Sequence, residues 1–521
     1  MSFRSLSALL LLLSFAQAQE SPADAQLKNG LALAQSKHWD EAKQVFLQGQ
    51  ESNPFDKRFP VELAGLAFQA KDNPAAIHYL RRAVHLDPTD EYANNFLASL
   101  YLLEGNLDAA VKYWNRVGKP RIDQIRFEPQ LRTNPILLDR SFAFSPASTL
   151  RFDDLKTSEA TLQSLQVFST PQYALQAKPS GDFDFVVRAS EKNGFGSSKL
   201  QALIRIFRGL PYATIYPEYD NIGSEARSLT SLLRWDSNKR RAAVQFAAPL
   251  KHRPSIRYRF SADFRDENWL LSPTTANSFG FHSRHYSFGA AIGQTVSGKW
   301  NWNVSTQLTH EGAPQLTAPE LFNDGFSLKY LAAIERQLFY VPEHRFSITA
   351  KLTPQFGRNF RTPSSAFAQV RGDTELQWLP GRKSGDYEFR TNFSAARSWG
   401  TLPFSELFML GTERDNDLLL RGHVGTRDGR KGSAPLARDY LLGNFEFNRR
   451  VFNDGVFDVK LGPFVDIARP YHTLQVQQDE RWLYDPGVSL KISVLGAATV
   501  TLSYARNLRD HGNAFYVTAL Q

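Results

Sequence analysis

Ile256-Arg257-Tyr258-Arg259-Phe260-Ser261-Ala262-Asp263-Phe264-Arg265 is the run whose reading decides the fold. In an extended chain alternate side chains share a face, so Ile256, Tyr258, Phe260, Ala262 and Phe264 form an oily side. Arg257, Arg259, Ser261, Asp263 and Arg265 form the polar one. A helix would scatter those charges around its whole circumference. Phe346, Ile348, Ala350 and Leu352 against Arg345, Ser347, Thr349 and Lys351 repeat the pattern. Further candidate strands start near Tyr212, Leu229, Ala242, Tyr286, Trp300, Leu328, Ala366, Tyr387, Tyr440, Val456, Val488, Thr499 and Phe515. One more is read from Leu200 to Phe207. With less regular runs this gives roughly 16 strands over about 320 residues, the pattern of a transmembrane antiparallel β-barrel with lipid-facing apolar and lumen-facing polar residues.

The rest of the composition agrees. Arg4 precedes the apolar run Ala8 to Phe15, and Ala16-Gln17-Ala18 has the small-x-small form of a signal-peptidase site, so residues 1–18 read as a secretory signal peptide. That run is too short to span a bilayer, and no later stretch offers the roughly 18 apolar residues of a membrane helix. A closed barrel is then the remaining way to cross lipid, because it leaves no backbone polar group unpaired. Aromatic residues reach 13% with 39 Phe, yet mean hydropathy is only −0.38, as alternation between lipid and lumen requires. The absence of cysteine excludes disulfides and a cysteine-borne lipid anchor. A formal charge of +9 is spread along the chain rather than gathered in a patch, which argues against a nucleic-acid partner.

At 521 residues several domains are expected. In the N-terminal part Gly30, Ala64 and Ala98 fall 34 apart, as do Ala42, Ala76 and Ala110, then Phe46, Leu80 and Trp114, and Pro54 and Pro88. This is the tetratricopeptide period, about three repeats in all. Small residues sit where two helices cross, a bulky one fills the groove, and proline ends the second helix. Asp72-Asn73-Pro74 and Glu104-Gly105-Asn106 mark the turns within the repeats. Such arrays bind peptides or partner proteins along a curved surface. Next comes a strand at Ile122 to Glu128, helices at Asn134 to Ser141 and Asp153 to Leu165, and strands at Tyr173 to Ala177 and Phe183 to Ala189. Asp153 is read as the cap of the second helix, and the whole as a small α+β domain.

Late in the chain a long polar loop separates Leu410-Gly411 and Leu420-Arg421-Gly422-His423 from two alternating strands that each hold one acid. These are Asn444-Phe445-Glu446-Phe447 and Phe464-Val465-Asp466. Each acid has apolar neighbours in sequence, so alternation turns it toward the lumen. In this order the residues resemble the signature of the BamA-type superfamily, outer-membrane barrels that insert or translocate proteins. Ile125-Arg126-Phe127-Glu128, the helix ending in Leu162-Gln163-Ser164-Leu165-Gln166-Val167-Phe168, and Phe183-Asp184-Phe185-Val186-Val187 with Glu191-Lys192-Asn193 are similar to the last periplasmic POTRA module of that family. The resemblance implies a loop folded back into the barrel, with Arg421 and its neighbour Gly422 locked against Glu446 and Asp466. His423 stands where the family more often has an aromatic residue. Arg427, Arg430, Lys431 and Arg438 read as a solvated lining. The resemblance also implies a lateral seam between the first and last strands, for which Leu203 and Ile204, and Phe515 and Val517, are the candidates.

The expectation is therefore a multidomain protein of the cell outer membrane. Residues 1–18 are a signal peptide, 19–118 an α-helical tetratricopeptide solenoid, 119–193 a POTRA-like α+β domain, and 194–521 the barrel, with the N-terminal domains in the periplasm. Implied partners are unfolded outer-membrane or secreted proteins, periplasmic accessory proteins docked on the repeats, and the lipid bilayer. No Gly-x-Ser-x-Gly elbow, phosphate loop or His-Glu-x-x-His site is present, and His282 and His285 fall on opposite faces of one strand, so neither catalysis nor a cofactor is expected. The expected function is insertion of barrel proteins or translocation of partner proteins. The alternatives are a dedicated two-partner-type secretion pore and a passive porin-like channel.

Overall fold

A computed structural model describes residues 21–520, apart from 197, 272–277, 313–324, 361–363, 382–384, 475–479 and 495–497. The expected signal peptide lies outside the described residues. The N-terminal unit is built of helix pairs: Pro22–Gln35 (α1) with Trp39–Ser52 (α2), Arg58–Gln69 (α3) with Asn73–Leu86 (α4), and Glu91–Leu103 (α5) with Leu107–Trp114 (α6). The 34-residue period is a period of core contacts. A Cβ on Gly30 would lie 2.3 Å from the Phe46 ring, so α1 and α2 can approach this closely only at glycine. Phe46, Ala64, Leu80 and Ala98 are fully buried, and burying a side chain the size of Phe or Leu contributes about 1.5–3 kcal/mol. Trp114 closes the series, its indole N–H donating to Asn95 Oδ1 at 2.9 Å. Lys37, Lys71 and Gly105, again one period apart, end the first helix of each pair with left-handed backbone (φ 64°, 59° and 69°). Glycine takes that conformation without strain.

The second unit begins with a three-stranded layer. Ile122–Glu128 (β1) runs parallel to Phe183–Glu191 (β3), and Phe168–Ala177 (β2) pairs antiparallel on the other side of β3. Pro135–Asp139 (α7) and Phe152–Ser164 (α8) complete it. Leu155, Leu162 and Leu165 are buried, as are Phe185 and Val187 of the central strand. Asp153 lies in the first turn of α8 and does not cap it; the cap position is Arg151, without a side-chain bond.

The remaining segments are Lys199–Phe207 (α9), then Thr214–Ile215 (β4), Glu218–Ile222 (β5), Arg227–Trp235 (β6), Lys239–Leu250 (β7), Arg253–Leu271 (β8), Phe279–Ser297 (β9), Trp300–Gly312 (β10), Gly325–Val341 (β11), Phe346–Asn359 (β12), Ser365–Trp378 (β13) and Tyr387–Gly400 (β14). Phe408–Met409 (β15), Thr426–Arg427 (β16) and Arg430–Lys431 (β17) lie in a long connection. The series ends with Leu436–Asn453 (β18), Phe457–Thr473 (β19), Leu483–Val494 (β20), Ala498–Arg506 (β21) and Asn513–Leu520 (β22). These strand segments form a closed barrel in which β22 neighbours β4. Its outward positions carry Phe260, Phe288, Leu308, Tyr330, Leu352, Phe393 and Val488, all exposed. Closure satisfies the backbone and the outward face is apolar, which is the form lipid requires. Among the described residues no helix is long and apolar enough to cross a membrane.

β4 and β5 hold one register on β6, so they are a single interrupted strand. The wall then has one strand from β4 and β5, nine from β6 to β14 and five from β18 to β22, fifteen among the described residues. Each matches one of the expected strands in the alternating series. The run from Leu200 to Phe207 is the exception, because it is the helix α9, and Leu203 and Ile204 are therefore not on a strand edge. Leu200, Leu203, Ile204 and Phe207 follow helical spacing, with Gln201, Arg205 and Arg208 on the other side, and Ser198 caps the start by accepting from Gln201 N–H at 3.1 Å. The buried Arg205 bonds Glu218 at 2.5 Å and Asp220 at 2.8 Å on β5, while Leu200, Leu203 and Phe207 are exposed. Since successive wall strands are antiparallel, fifteen strands make β22 run in the same direction as β4 and β5. Phe515 and Val517 do lie on β22, and the Val517 carbonyl accepts from the Tyr212 hydroxyl at 2.8 Å.

The α+β layer meets the barrel through Glu191. Its carboxylate accepts from the backbone of Arg132 and Thr133, each at 2.7 Å, from the Thr133 hydroxyl, from Asn193 at 2.9 Å, and from Asn221 of β5 at 3.1 Å. Burial pushes this carboxyl up, but the donors from Asn193, Thr133 and Arg132 outweigh it and hold the group below the usual carboxylate range. A depressed folded-state value means that the stabilisation is complete above the ordinary carboxylate pKa and is lost as pH falls through the folded one. Glu191→Gln should weaken the junction by about 1–3 kcal/mol at neutral pH. Hydrogen exchange at Gly194, whose N–H bonds the Asp220 carbonyl at 2.9 Å, should accelerate. Unchanged exchange there would remove Glu191 from this role.

Candidate functional site

Residues 401–435 connect β14 to β18 and fold into the barrel. Leu410 and Leu420 are fully buried and pack with Leu418, Tyr440, Ala468 and Leu483. This apolar seat places Arg421 against the inner wall. Its guanidinium bonds Asp466 twice, Nε to Oδ2 at 2.9 Å and Nη2 to Oδ1 at 2.8 Å, and reaches Glu446 Oε2 through Nη1 at 2.8 Å. The Arg421 N–H also donates to Asp466 at 2.8 Å, and the guanidinium lies 3.3 Å from the centroid of the Phe464 ring. Arg421 is 6% exposed and Asp466 not at all. Paired charges, a fork geometry and a ring beneath make this a tight contact.

The structure thus brings together all four residues read from the sequence as the lock. Gly422 has a steric reason: a Cβ there would lie 2.5 Å from the Asp485 carboxyl carbon, and the Gly422 N–H instead donates to that carboxylate at 2.5 Å. His423 joins the same acid through Nδ1 at 2.9 Å, and its other ring nitrogen meets Asn507 at 3.0 Å. Asp485 and Asn507 were not identified in the sequence reading. Asp485 lies opposite Asp466 in the β19–β20 register, so an alternation count outward from Asp466 would have found it.

A second anchor, absent from the sequence reading, holds the other side of the loop. Asp415 takes Arg234 of β6 at 2.8 Å and Arg241 of β7 at 2.7 Å, and Arg241 also bonds Asp263 of β8 at 2.7 Å. Lys431, expected as part of a solvated lining, is buried and bonds Glu267 of β8 at 2.6 Å. Arg427 and Arg430 are exposed, as expected of a lining. Farther round, Glu406 meets Lys329 of β11 and Gln355 of β12, each at 2.6 Å. Arg414 completes the circuit: it lies 3.6 Å from the Tyr212 ring centroid and donates to the Tyr212 carbonyl at 3.0 Å. Tyr212 is the residue that holds β22. One loop therefore ties together β6 to β8, β11 and β12, β18 to β20, and the junction of the first and last strands. The contacts of this loop are with the inner wall on several sides.

Similar folds occur among solved structures. BamA from Haemophilus ducreyi lacking POTRA domains 1–3 is 13% identical at a TM-score of 0.44, covering 77% of this chain and 84% of that one. CdiB from Escherichia coli is 12% identical at 0.47, covering 77% and 75%. CdiB from Acinetobacter baumannii is 11% identical at 0.47, covering 87% and 86%. No curated protein matches the sequence. The Tetratricopeptide repeat family matches residues 27–91 and, in a second form, 67–123. With the helix pairs and their 34-residue packing period, these matches make the N-terminal segment a tetratricopeptide repeat array.

Proposed function

We propose that this protein is an outer-membrane barrel of the BamA-type superfamily that inserts barrel proteins into the membrane or passes partner proteins across it. The repeat array and a POTRA-like α+β layer would stand in the periplasm to receive clients or accessory subunits. The observation that carries this reading is the clamp of Arg421 on Asp466 and Glu446 inside a closed barrel. A passive channel gains nothing from a loop that fills its own lumen and is held there by buried charge. The repeat array adds a protein-docking surface that a channel for small solutes has no use for. The α9 helix beside β4 and β5 takes the position where a sixteenth strand was expected, and Tyr212 with Arg414 secures the adjoining junction with β22. A client strand adding to the β22 edge would use the same backbone pairing by which extended peptides augment sheets.

A second reading, a secretion pore dedicated to one exported partner, is favoured by the single α+β module. Depletion of the protein in its native cell, followed by proteomics of the outer membrane and the medium, separates the two. Broad loss of outer-membrane barrels is expected for an assembly factor, and loss of one secreted protein for a dedicated pore. No change in either fraction would overturn both.

A further inference from the structure

The outward wall is not uniformly bulky. In one register row Leu352 of β12 stands beside Gly372 of β13, Ala395 of β14 and Leu441 of β18; in the next, Ala350 and Gly443 flank Thr374 and Phe393. The small residues sink the surface into a groove of about 770 Å³, walled by Ile334, Leu352, Phe393 and Leu441. A Cβ on Gly372 would meet nothing within 4 Å, so the hollow is real space rather than tightly packed backbone.

Arg336 lines one end of this groove. It shares the outward face of β11 with Ile334 and pairs in register with Trp300, the first residue of β10. That end of the wall is fixed by the β9–β10 turn, where Gly298 N–H donates to Thr157 of α8 at 3.0 Å, so Arg336 lies at the end bearing the α+β layer. Exposed Trp300, Phe339, Trp378 and Tyr387 form an aromatic belt there, as expected at a lipid–water boundary. Three other outward arginines rest on rings: Arg397 over Trp399, Arg449 over Tyr387 and Arg469 over Tyr471. Among the described residues Arg336 has neither a ring beneath it nor an ion pair. A lone guanidinium on an apolar wall, at headgroup depth and beside an apolar trough, has the complementarity of a phosphate joined to an acyl chain.

We propose that this groove is a specific glycerophospholipid site, with an acyl chain lying over Gly372 and Ala395 and the phosphate paired with Arg336. The inference rests on the proposed reading that the barrel spans the outer membrane with the α+β layer on its periplasmic side, and not on what the barrel transports. The end of the barrel decides the source: a leaflet facing the α+β layer presents phospholipid, and lipopolysaccharide would have to approach from the opposite rim. The test is native mass spectrometry of the full chain, released from detergent after titration with phosphatidylglycerol, phosphatidylethanolamine or lipopolysaccharide. One phospholipid should remain bound to the wild type. Gly372→Leu with Ala395→Leu, which fills the trough, should reduce its retention at least tenfold by order of magnitude, the effect of lost apolar burial. Arg336→Gln should weaken retention of both phospholipids while leaving diacylglycerol, which lacks the phosphate, unchanged. Val304→Leu, outward on β10 and away from the groove, is the control and should match wild type. Heat-modifiable migration on gels verifies that each variant folds. Equal phospholipid retention by wild type and the filled variant, or preferential retention of lipopolysaccharide, would overturn the proposal. Failure of every form to enter liposomes would instead overturn the membrane reading on which it stands.

Discussion

Replacing Arg421 with alanine should unfold the luminal loop from its seat and lower barrel stability by about 3–5 kcal/mol, the cost of stranding a buried partner charge. Asp466 is wholly buried, and the Arg421 guanidinium gives it two bonds, so truncation leaves the carboxylate with the backbone N–H of residue 421 and, as its remaining side-chain donor, Asn444, each at 2.8 Å. Glu446 suffers less, because Lys491 and Asn448 also hold it. The expected order of damage is therefore Arg421→Ala greater than Arg421→Lys, since lysine restores the charge but cannot bond two acids in a planar fork. Gly422→Ala should also be harmful for a separate reason, the overlap of its methyl group with the Asp485 carboxyl. Thermal loss of heat-modifiable migration gives stability, and export or insertion of the client identified by depletion gives function. An Arg421→Ala protein with wild-type values in both would show that the clamp is decorative.

What the sequence made legible follows from the range of the forces involved. Strand alternation is a local pattern, so the fifteen wall strands could each be found within ten or so residues. The repeat array was legible because Gly30 and Phe46 recur as Ala64 and Leu80 in the same packing relation. Arg421, Glu446 and Asp466 stood out through order along the chain and a family resemblance, not through any local rule. The α9 helix was misread because its eight residues from Leu200 contain both periods: Leu200, Ala202, Ile204 and Ile206 alternate, while Leu203 and Phe207 complete a helical stripe. The Ser198 cap and the pairing of Arg205 with β5 decide in favour of the helix. The second anchor had no local sign at all. Asp415 and Arg234 are 181 residues apart, and a carboxylate in a polar loop reads as solvated until the barrel closes around it.

That second anchor supports the remaining large prediction. Asp415→Ala should leave Arg234 and Arg241 facing each other without the carboxylate they share, and like charges at that separation repel in a site partly shielded from water. Arg241 keeps Asp263, whereas Arg234 is left bonded to the uncharged Thr214 hydroxyl at 3.1 Å, so the loop should detach first from β6. Because Arg421 still grips β18 to β20, the fold should survive and the loop should swing from one wall rather than leave the lumen. The variant should therefore raise ion conductance in planar bilayers well above wild type while melting closer to wild type than Arg421→Ala does. Release at this side also frees Arg414 from Tyr212, so hydrogen exchange in β22, whose Val517 carbonyl the Tyr212 hydroxyl holds, should accelerate in the Asp415→Ala background. Combined with Arg421→Ala, the added loss of stability should be less than the sum of the two single effects, since a loop already loose on one side has less order to lose on the other. Strict additivity, together with wild-type conductance for Asp415→Ala, would mean that the two anchors hold separate pieces of chain and that the loop does not act as one gate.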